Sequence, residues 1–508
     1  MEAGRRGAAR PARPGGVCAS GDEASAEAGA AVLAEGGTAS DAVIAATLVA
    51  AVTLPTMTGL GGAALFLVHA GGSTEVLDAF ADVPGRGRRA AARAGPEVVT
   101  VPFEEVEVDF EVGPASVAVP GLGPGLLALH ERHGRLPLAR LAAPAIHMAR
   151  HGSDVGEGHH RAFALLAEIF RRTPEAWSLV GDEDGPYRPG QRRANAALAD
   201  TLEALVHEGI AWLRDGDLAR GIVDASDGHV TTDDLAGYRV AWRAPLVGSY
   251  RGGTVTVPAG PSVAGAQVLA ALAAFERSPP LARHPEPRAV WELADALALA
   301  ERLRSEELEA RRDDIAWLTA RIATCRAGNT VHITAADAEG SVVGCTSTLG
   351  ESAGLVVPGT GVALNNFLGE PDIAPRDRAA SVGRRMITSM CPTLVERDGV
   401  KLGVGSAGSS RIRSAVPNVV VNRMDRGMDL ATAIAAPRVH VEDGMLYVEG
   451  HGRARAEVEA LLAWPGGPAR ANWPLGFYFG GAQAVSFEAQ GFDGGADVAR
   501  RGCAVAFA

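Results

Sequence analysis

A single lysine, Lys401, occurs among the 508 residues, and the 48 basic side chains are outnumbered by 60 acidic ones, leaving a net charge of −12. That balance repels a phosphate backbone, so nucleic acid is not an expected partner. The shortage of lysine beside abundant alanine, glycine and arginine reads as coding bias. Cysteine is scarce as well: Cys18, Cys325, Cys345, Cys391 and Cys503 are odd in number, scattered, and form no CxxC pair. This spacing excludes a disulfide framework or a zinc ribbon and leaves buried free thiols, with no metal and no cofactor expected. The longest apolar stretch, Ala42 to Pro55, is too short to span a bilayer. The arginine-rich N-terminus is not followed at once by an apolar segment, so it does not read as a secretory signal, and the expected location is the cytoplasm.

What remains, 47% apolar and 21% charged residues, is the composition of a water-soluble globular body. Length alone allows two to four domains, but the pattern along the chain argues for one. Residues 1–16 read as a disordered tail. Glu23 to Glu35 and Ser40 to Thr53 are alanine-rich helical stretches separated by Gly36-Gly37, and Ala64 to Val68 and Thr74 to Asp78 read as strands. The middle is mainly helical, as in Asn195 to Glu208 and Val290 to Arg304, with a strand-like Gly253 to Pro258. After Asn329 the texture changes. VHITAAD and SVVGCTST form one expected hairpin, and Pro392 to Val395 with Lys401 to Val404 form another around Arg397-Asp398-Gly399. Helices are expected at Ser414 to Val421 and Ala454 to Ala463. Strands from both ends of the chain, separated by helices, point to one α+β body with a shared sheet.

Thr330, where helical texture gives way to strand, could be no more than a β-former. It becomes chemically interesting if it is a chain terminus, because a free α-amine can then take the proton from its own hydroxyl. The run Gly405-Ser406-Ala407-Gly408-Ser409-Ser410 follows a strand and precedes a helix, so its amides could converge on a developing oxyanion. It fails as a serine-hydrolase elbow, because Val404 stands where GxSxG needs glycine. Thr388 and Ser389 are a hydroxyl pair before a strand, which local capping alone would explain. His159-His160 reads as a solvated pair in a polar loop, and Arg384-Arg385 as a solvated charge pair or an anchor for an anionic substrate.

Ten strings in order, among them LPTMTGLGGAALFLV, GNTVHITAADAEGSVVGCTSTLG, GVALNNFLGE, TSMCPTLV and GVGSAGSSRI, resemble the gamma-glutamyltransferase family of N-terminal-nucleophile hydrolases from Gly15 onward. The resemblance implies a four-layer αββα sandwich. It implies a precursor cut between Asn329 and Thr330, so that a 17–329 part and a 330–508 part of one domain stay associated. Thr330 takes the place of the nucleophile, Thr348 of the threonine that positions it, and Gly408 and Ser409 of the two oxyanion-hole glycines, the second replaced here by serine. Thr388 and Ser389 match the hydroxyls that hold a glutamyl α-carboxylate, and Glu370 stands, as a conservative departure, where an aspartate meets the substrate amine. Phe80 stands where the family presents arginine, Gly350 where asparagine is usual, and Phe367 where glutamine or glutamate is usual. A phenylalanine cannot replace a bidentate arginine. The implied partner is a small-molecule or peptide amide, and the implied chemistry is cleavage or transfer of a gamma-glutamyl-type acyl group, as in glutathione metabolism. An acylase for another amide, or a relative that never cuts itself, are the alternatives. The short stretch from Pro371 to Ile387 suggests an open site.

Overall fold

The computed structural model describes residues 15–87, 95–103, 106–282, 285–310, 330–370, 372–375, 377–473, 476, 478–498 and 503–508. Most of the expected tail, and Cys325 and Asn329, lie outside them. Gly16, placed in the tail by the sequence reading, instead opens the first strand, β1 (Gly16–Ser20), whose five residues are all buried.

Two antiparallel sheets form the centre. The first contains β1, β2 (Ala63–Ala70), β3 (Ser73–Ala79), β4 (Ala241–Arg243), β7 (Val331–Asp337), β8 (Val342–Thr348) and β13 (Ala504–Phe507), in the order β4-β3-β2-β8-β7-β1-β13. The second contains β5 (Leu246–Tyr250), β6 (Gly253–Val257), β9 (Thr393–Arg397), β10 (Val400–Ala407), β11 (Gly481–Glu488) and β12 (Gly491–Ala496), in that order. The hairpin at Arg397 is as expected: Asp398 and Gly399 both have positive φ, 52° and 79°, the geometry of a tight type I′ turn.

Alternation sorts the side chains into layers. Odd positions of β7, Val331, Ile333 and Ala335, pack outward with Val43 and Val49 of helix α2 (Ala39–Thr53) and Leu33 of α1 (Glu23–Ala34). The even position Ala336 faces the other sheet, where it joins Val17, Leu67, Val342, Leu394 and Val485. Helices α3 (Ala264–Phe275), α4 (Pro287–Ala310) and α5 (Ile412–Met424) cover the far side of the second sheet, with Val268, Leu297 and Val416 against Val255 and Val404. The result is the four-layer αββα sandwich.

Among the described residues no helix is long and apolar enough to cross a membrane. Cys18, Cys345, Cys391 and Cys503 are buried free thiols. The His159-His160 pair is not solvated in a loop. It lies in a helix, Glu157–Leu165, where His159 Nδ1 accepts from the Gly156 amide (3.0 Å) and His159 Nε2 lies 3.3 Å from buried Asp22.

Candidate active site

The pairing of β7 with β8 sets Val331 opposite Ser347, so one further step along the ladder sets Thr330 opposite Thr348. Thr348 pairs in turn with Ala63 of β2, and because Ala64 pairs with Ala79, Ala63 faces Phe80. Thr330, Thr348, Ala63 and Phe80 thus form one row across four adjacent strands, at roughly 4.8 Å per step. Both threonines are buried, and the Gly350 amide donates to Thr348 Oγ1 (2.9 Å). Beside them Thr58 and Ser347 share a hydrogen bond of 2.8 Å.

Glycines on β10 bring the second sheet up to this strand. A Cβ added at Gly403 would lie 2.8 Å from Thr334 Oγ1, and one at Gly405 would lie 2.3 Å from the His332 ring. The two strands therefore step past each other in pairs, 403 with 334 and 405 with 332, a stagger that runs towards Ala407 on β10 and Thr330 ahead of β7. Immediately after Ala407 the chain turns through Gly408 (φ 116°, ψ 32°) and Ser409 (φ 48°) into the short helix Ser409–Arg411 and then α5. Only a glycine fits at 408, where a Cβ would meet the Gly480 backbone at 2.8 Å. The turn closes through the Arg411 amide to the Gly408 carbonyl (2.9 Å). Arg411 is buried, donates to Ser410 Oγ (3.0 Å), and lies 3.7 Å from Glu442. Burial alone would raise the Glu442 carboxyl, but Arg411, His440 and Arg413 outweigh it and hold it well below the usual range.

Phe80 and Phe367, two separate departures in the sequence, come together in the fold. Their ring centroids are 5.2 Å apart at 32°, within an apolar cluster with Ala63, Leu65, Met386 and Met390. The phenylalanine backbone at 80 is pinned: its amide donates to Asp78 Oδ1 (3.0 Å) and its carbonyl accepts from Tyr238 (2.7 Å). Of the Arg384-Arg385 pair, Arg384 is exposed as expected, whereas Arg385 is not a freely solvated charge. Its guanidinium lies 3.3 Å from both Asp78 and Asp82 and donates to the Tyr238 hydroxyl (2.7 Å). Thr388 and Ser389 sit between Ile387 and Met390 at the edge of this wall; the Thr388 amide donates to the Pro261 carbonyl (3.0 Å) and the Met390 amide to Thr388 Oγ1 (3.2 Å).

The short segment ahead of Thr388 is tied down through the amides of Gly383 and Met386 to the carbonyls of Val83 and Ala81 (2.8 and 2.9 Å). Of Thr330, Thr348, Gly408, Ser409, Glu370, Thr388, Ser389, Phe80, Gly350 and Phe367, Ser409 alone is partly exposed.

Gly350 and Glu370 form the second matched pair of departures. Glu370 Oε1 lies 2.0 Å from where a Gly350 Cβ would stand, so the longer acid occupies space that a side chain at 350 would need. Glu370 is buried, and burial together with Asp372 and Glu351 pushes its carboxyl well above the usual range. Two groups that the sequence reading passed over organise this corner. Asn366 Oδ1 accepts from the Glu351 amide (2.8 Å), and Asp372 Oδ2 accepts from Ser409 Oγ (2.9 Å). Asn366 lies inside a string already singled out; nothing local marks Asp372.

A two-sheet sandwich with a threonine opening a central strand, beside a left-handed turn at a helix start, defines an N-terminal-nucleophile enzyme. The gamma-glutamyltranspeptidase family model matches residues 25–316 and 311–507, and the chain belongs to that family. It is 31% identical over 476 residues to the acylase ACY 1 proenzyme of Pseudomonas sp. (strain SE83), covering 86% of this chain and 84% of that one. It is also 31% identical over 474 residues to the glutathione hydrolase proenzyme of Pseudomonas aeruginosa, covering 84% and 83%. The fold matches the crystal structure of cephalosporin acylase from Bacillus halodurans with a TM-score of 0.78 at 23% identity, covering 100% of this chain and 99% of that one.

Proposed function

We propose that the chain is a proenzyme that cuts itself before Thr330 and then uses Thr330 as the nucleophile of an amide hydrolase or acyltransferase. In the first step the Thr330 hydroxyl adds to the Asn329 carbonyl and the peptide C–N bond breaks, leaving an ester. Breaking that bond has freed the α-amine, which takes up the hydroxyl proton, and water then hydrolyses the ester, releasing the Asn329 carboxylate and restoring the hydroxyl. In turnover the amine takes the hydroxyl proton as Oγ1 attacks the substrate carbonyl, and it returns the proton to the leaving amine. The amides of Gly408 and Ser409 steady the oxyanion, and water or an acceptor amine takes the acyl group.

The observation that supports this reading is the paired stepping of β10 along β7, Gly403 against Thr334 and Gly405 against His332, a step that, carried one pair further, leads from β10 into the Gly408-Ser409 turn at the level of Thr330. The reading is tested with wild type beside Thr330→Ala by intact mass and N-terminal sequencing. Two wild-type fragments, one beginning Thr-Val-His-Ile, and an uncut variant are expected. A folded, uncut wild-type chain would overturn it in favour of a non-processing relative.

A second reading concerns the acyl donor. The resemblance implies a gamma-glutamyl group, but the Phe80–Phe367 contact favours an acyl chain without the α-carboxylate, since the wall holds an aromatic pair where a guanidinium would be needed.

A further inference from the structure

Ser409 occupies a backbone conformation, φ 48°, that L side chains rarely adopt, at a position where the resemblance implies glycine. A residue with a Cβ stays there only if its surroundings over-determine it. In this chain one side-chain contact does so: Ser409 Oγ donates to Asp372 Oδ2 at 2.9 Å. Asp372 is itself fixed. It is 6% exposed, and it sits in a turn closed by the amides of Ile373 and Ala374 on the Glu370 carbonyl at 3.2 and 2.9 Å.

We propose that Asp372 is a positioning residue for the oxyanion turn, holding Ser409 in its left-handed conformation so that the Ser409 amide stays aimed at the developing oxyanion. The proposal rests on the reading of Gly408-Ser409 as the oxyanion hole. Rotation of Ser409 towards the ordinary right-handed region would swing the peptide unit that carries this N–H, and among the described residues the serine hydroxyl, through Asp372, is the side-chain handle on that unit. A glycine at 409 needs no tether, because both hands are open to it. The acceptor, not the charge, is what the turn requires, and a neutral acceptor at 372 would place no negative charge near the oxyanion.

The test is a mutant cycle read by acylation of Thr330, using p-nitrophenyl acetate as a donor that needs no specific pocket, with Thr330→Ala as the blank and the mass of the Thr330 fragment as readout. Expected are roughly tenfold falls in maximal acylation rate for both Asp372→Ala and Ser409→Ala, with little change in half-saturating ester. The double variant should be no worse than either single. Asp372→Asn should stay within about twofold of wild type, and Asp372→Ala on a Ser409→Gly background should lose its effect. Should Asp372→Ala fail to fold, Ser409→Ala and Asp372→Asn carry the comparison. Equal losses for Asp372→Ala in both backgrounds, or rates unchanged by Ser409→Ala, would overturn the proposal while Thr330 acylation itself stands. A wild type that is not acylated on Thr330 would instead sink the nucleophile reading.

Discussion

The rings of Phe80 and Phe367 touch, 5.2 Å between centroids, so the two positions where the resemblance implies polar residues, 287 apart in sequence (367 − 80), meet as a contacting pair. A lone change back at either position is therefore expected to fail.

Phe80→Arg puts an unpartnered guanidinium into the apolar cluster of Leu65, Met386 and Met390, which should cost about 3 kcal/mol of stability. Phe367→Glu in the same molecule supplies a partner and should recover part of that loss. Wild type should turn over a 4-aminobutyryl anilide, which lacks the α-carboxylate, at least as well as the gamma-glutamyl anilide. The double variant should move that ratio at least tenfold towards gamma-glutamyl, since a bidentate arginine then has a carboxylate to read. Denaturant melts and kcat/KM on the two anilides check both halves.

Glu370 carries a pH signature. Its carboxyl is raised above the ordinary value of 4.5 by burial and by Asp372 and Glu351, so the folded state holds its proton more tightly than the unfolded chain does. The stability this contributes is complete below pH 4.5 and is lost as pH rises through the folded value. Glu370→Gln should therefore match wild type in acid and melt higher than wild type at pH 8, with KM for an amine-bearing donor increased. A variant melting lower than wild type at pH 8 would contradict the sign.

Gly350→Asn restores the residue the resemblance implies, yet its Cβ would stand 2.0 Å from Glu370 Oε1 and 2.3 Å from Asn366 Oδ1 at a φ of 66°. It should destabilise by about 2 kcal/mol. Glu370→Asp shortens the acid and should relieve part of this, whereas the same shortening on the wild-type background should not stabilise. Chemical denaturation of the four proteins measures the coupling.

His332 supplies the opposite slope. Burial lowers its ring to about 3, so the unfolded chain, with an ordinary histidine value of 6.5, binds the proton first. Stability is complete above pH 6.5 and falls as pH drops from there towards 3. His440, lowered by burial to about 4 despite Glu442, adds to the same slope. Melting midpoints between pH 8 and 4 should decline, and His332→Gln, which can still meet Thr346 Oγ1 (2.9 Å from His332 Nδ1), should flatten the decline by one proton.

Local sequence made the hairpins legible because alternation and an Asp-Gly turn are short-range signals; Thr393–Arg397 and Val400–Ala407 fall where the pattern puts them. Strand β7 was legible for the same reason, and the place of Thr348 across from Thr330 through the resemblance. β1 was not. Five small residues beside an arginine-rich segment carry no strand signal, and their burial comes from β7 and β13, more than 300 residues away. Helix α5 runs beyond the expected Ser414 to Val421 at both ends, with Pro417 buried inside it. Arg385 was misread because its partners Asp78 and Asp82 are over 300 residues distant, and Asp372 carries no motif of its own.

β1 lies between β7 and β13, so a strand from before the proposed cut is laddered on both edges to strands from after it, as β2 is to β8 on one edge. Cutting before Thr330 therefore leaves the interleaved sheet intact but removes the covalent memory of how it was assembled. Once melted, a cut molecule becomes two separate chains whose reunion depends on concentration, while the uncut Thr330→Ala chain has only a loop to close. Processing would convert a folding equilibrium into a one-way commitment, with the lifetime of the enzyme set by how slowly those shared ladders open.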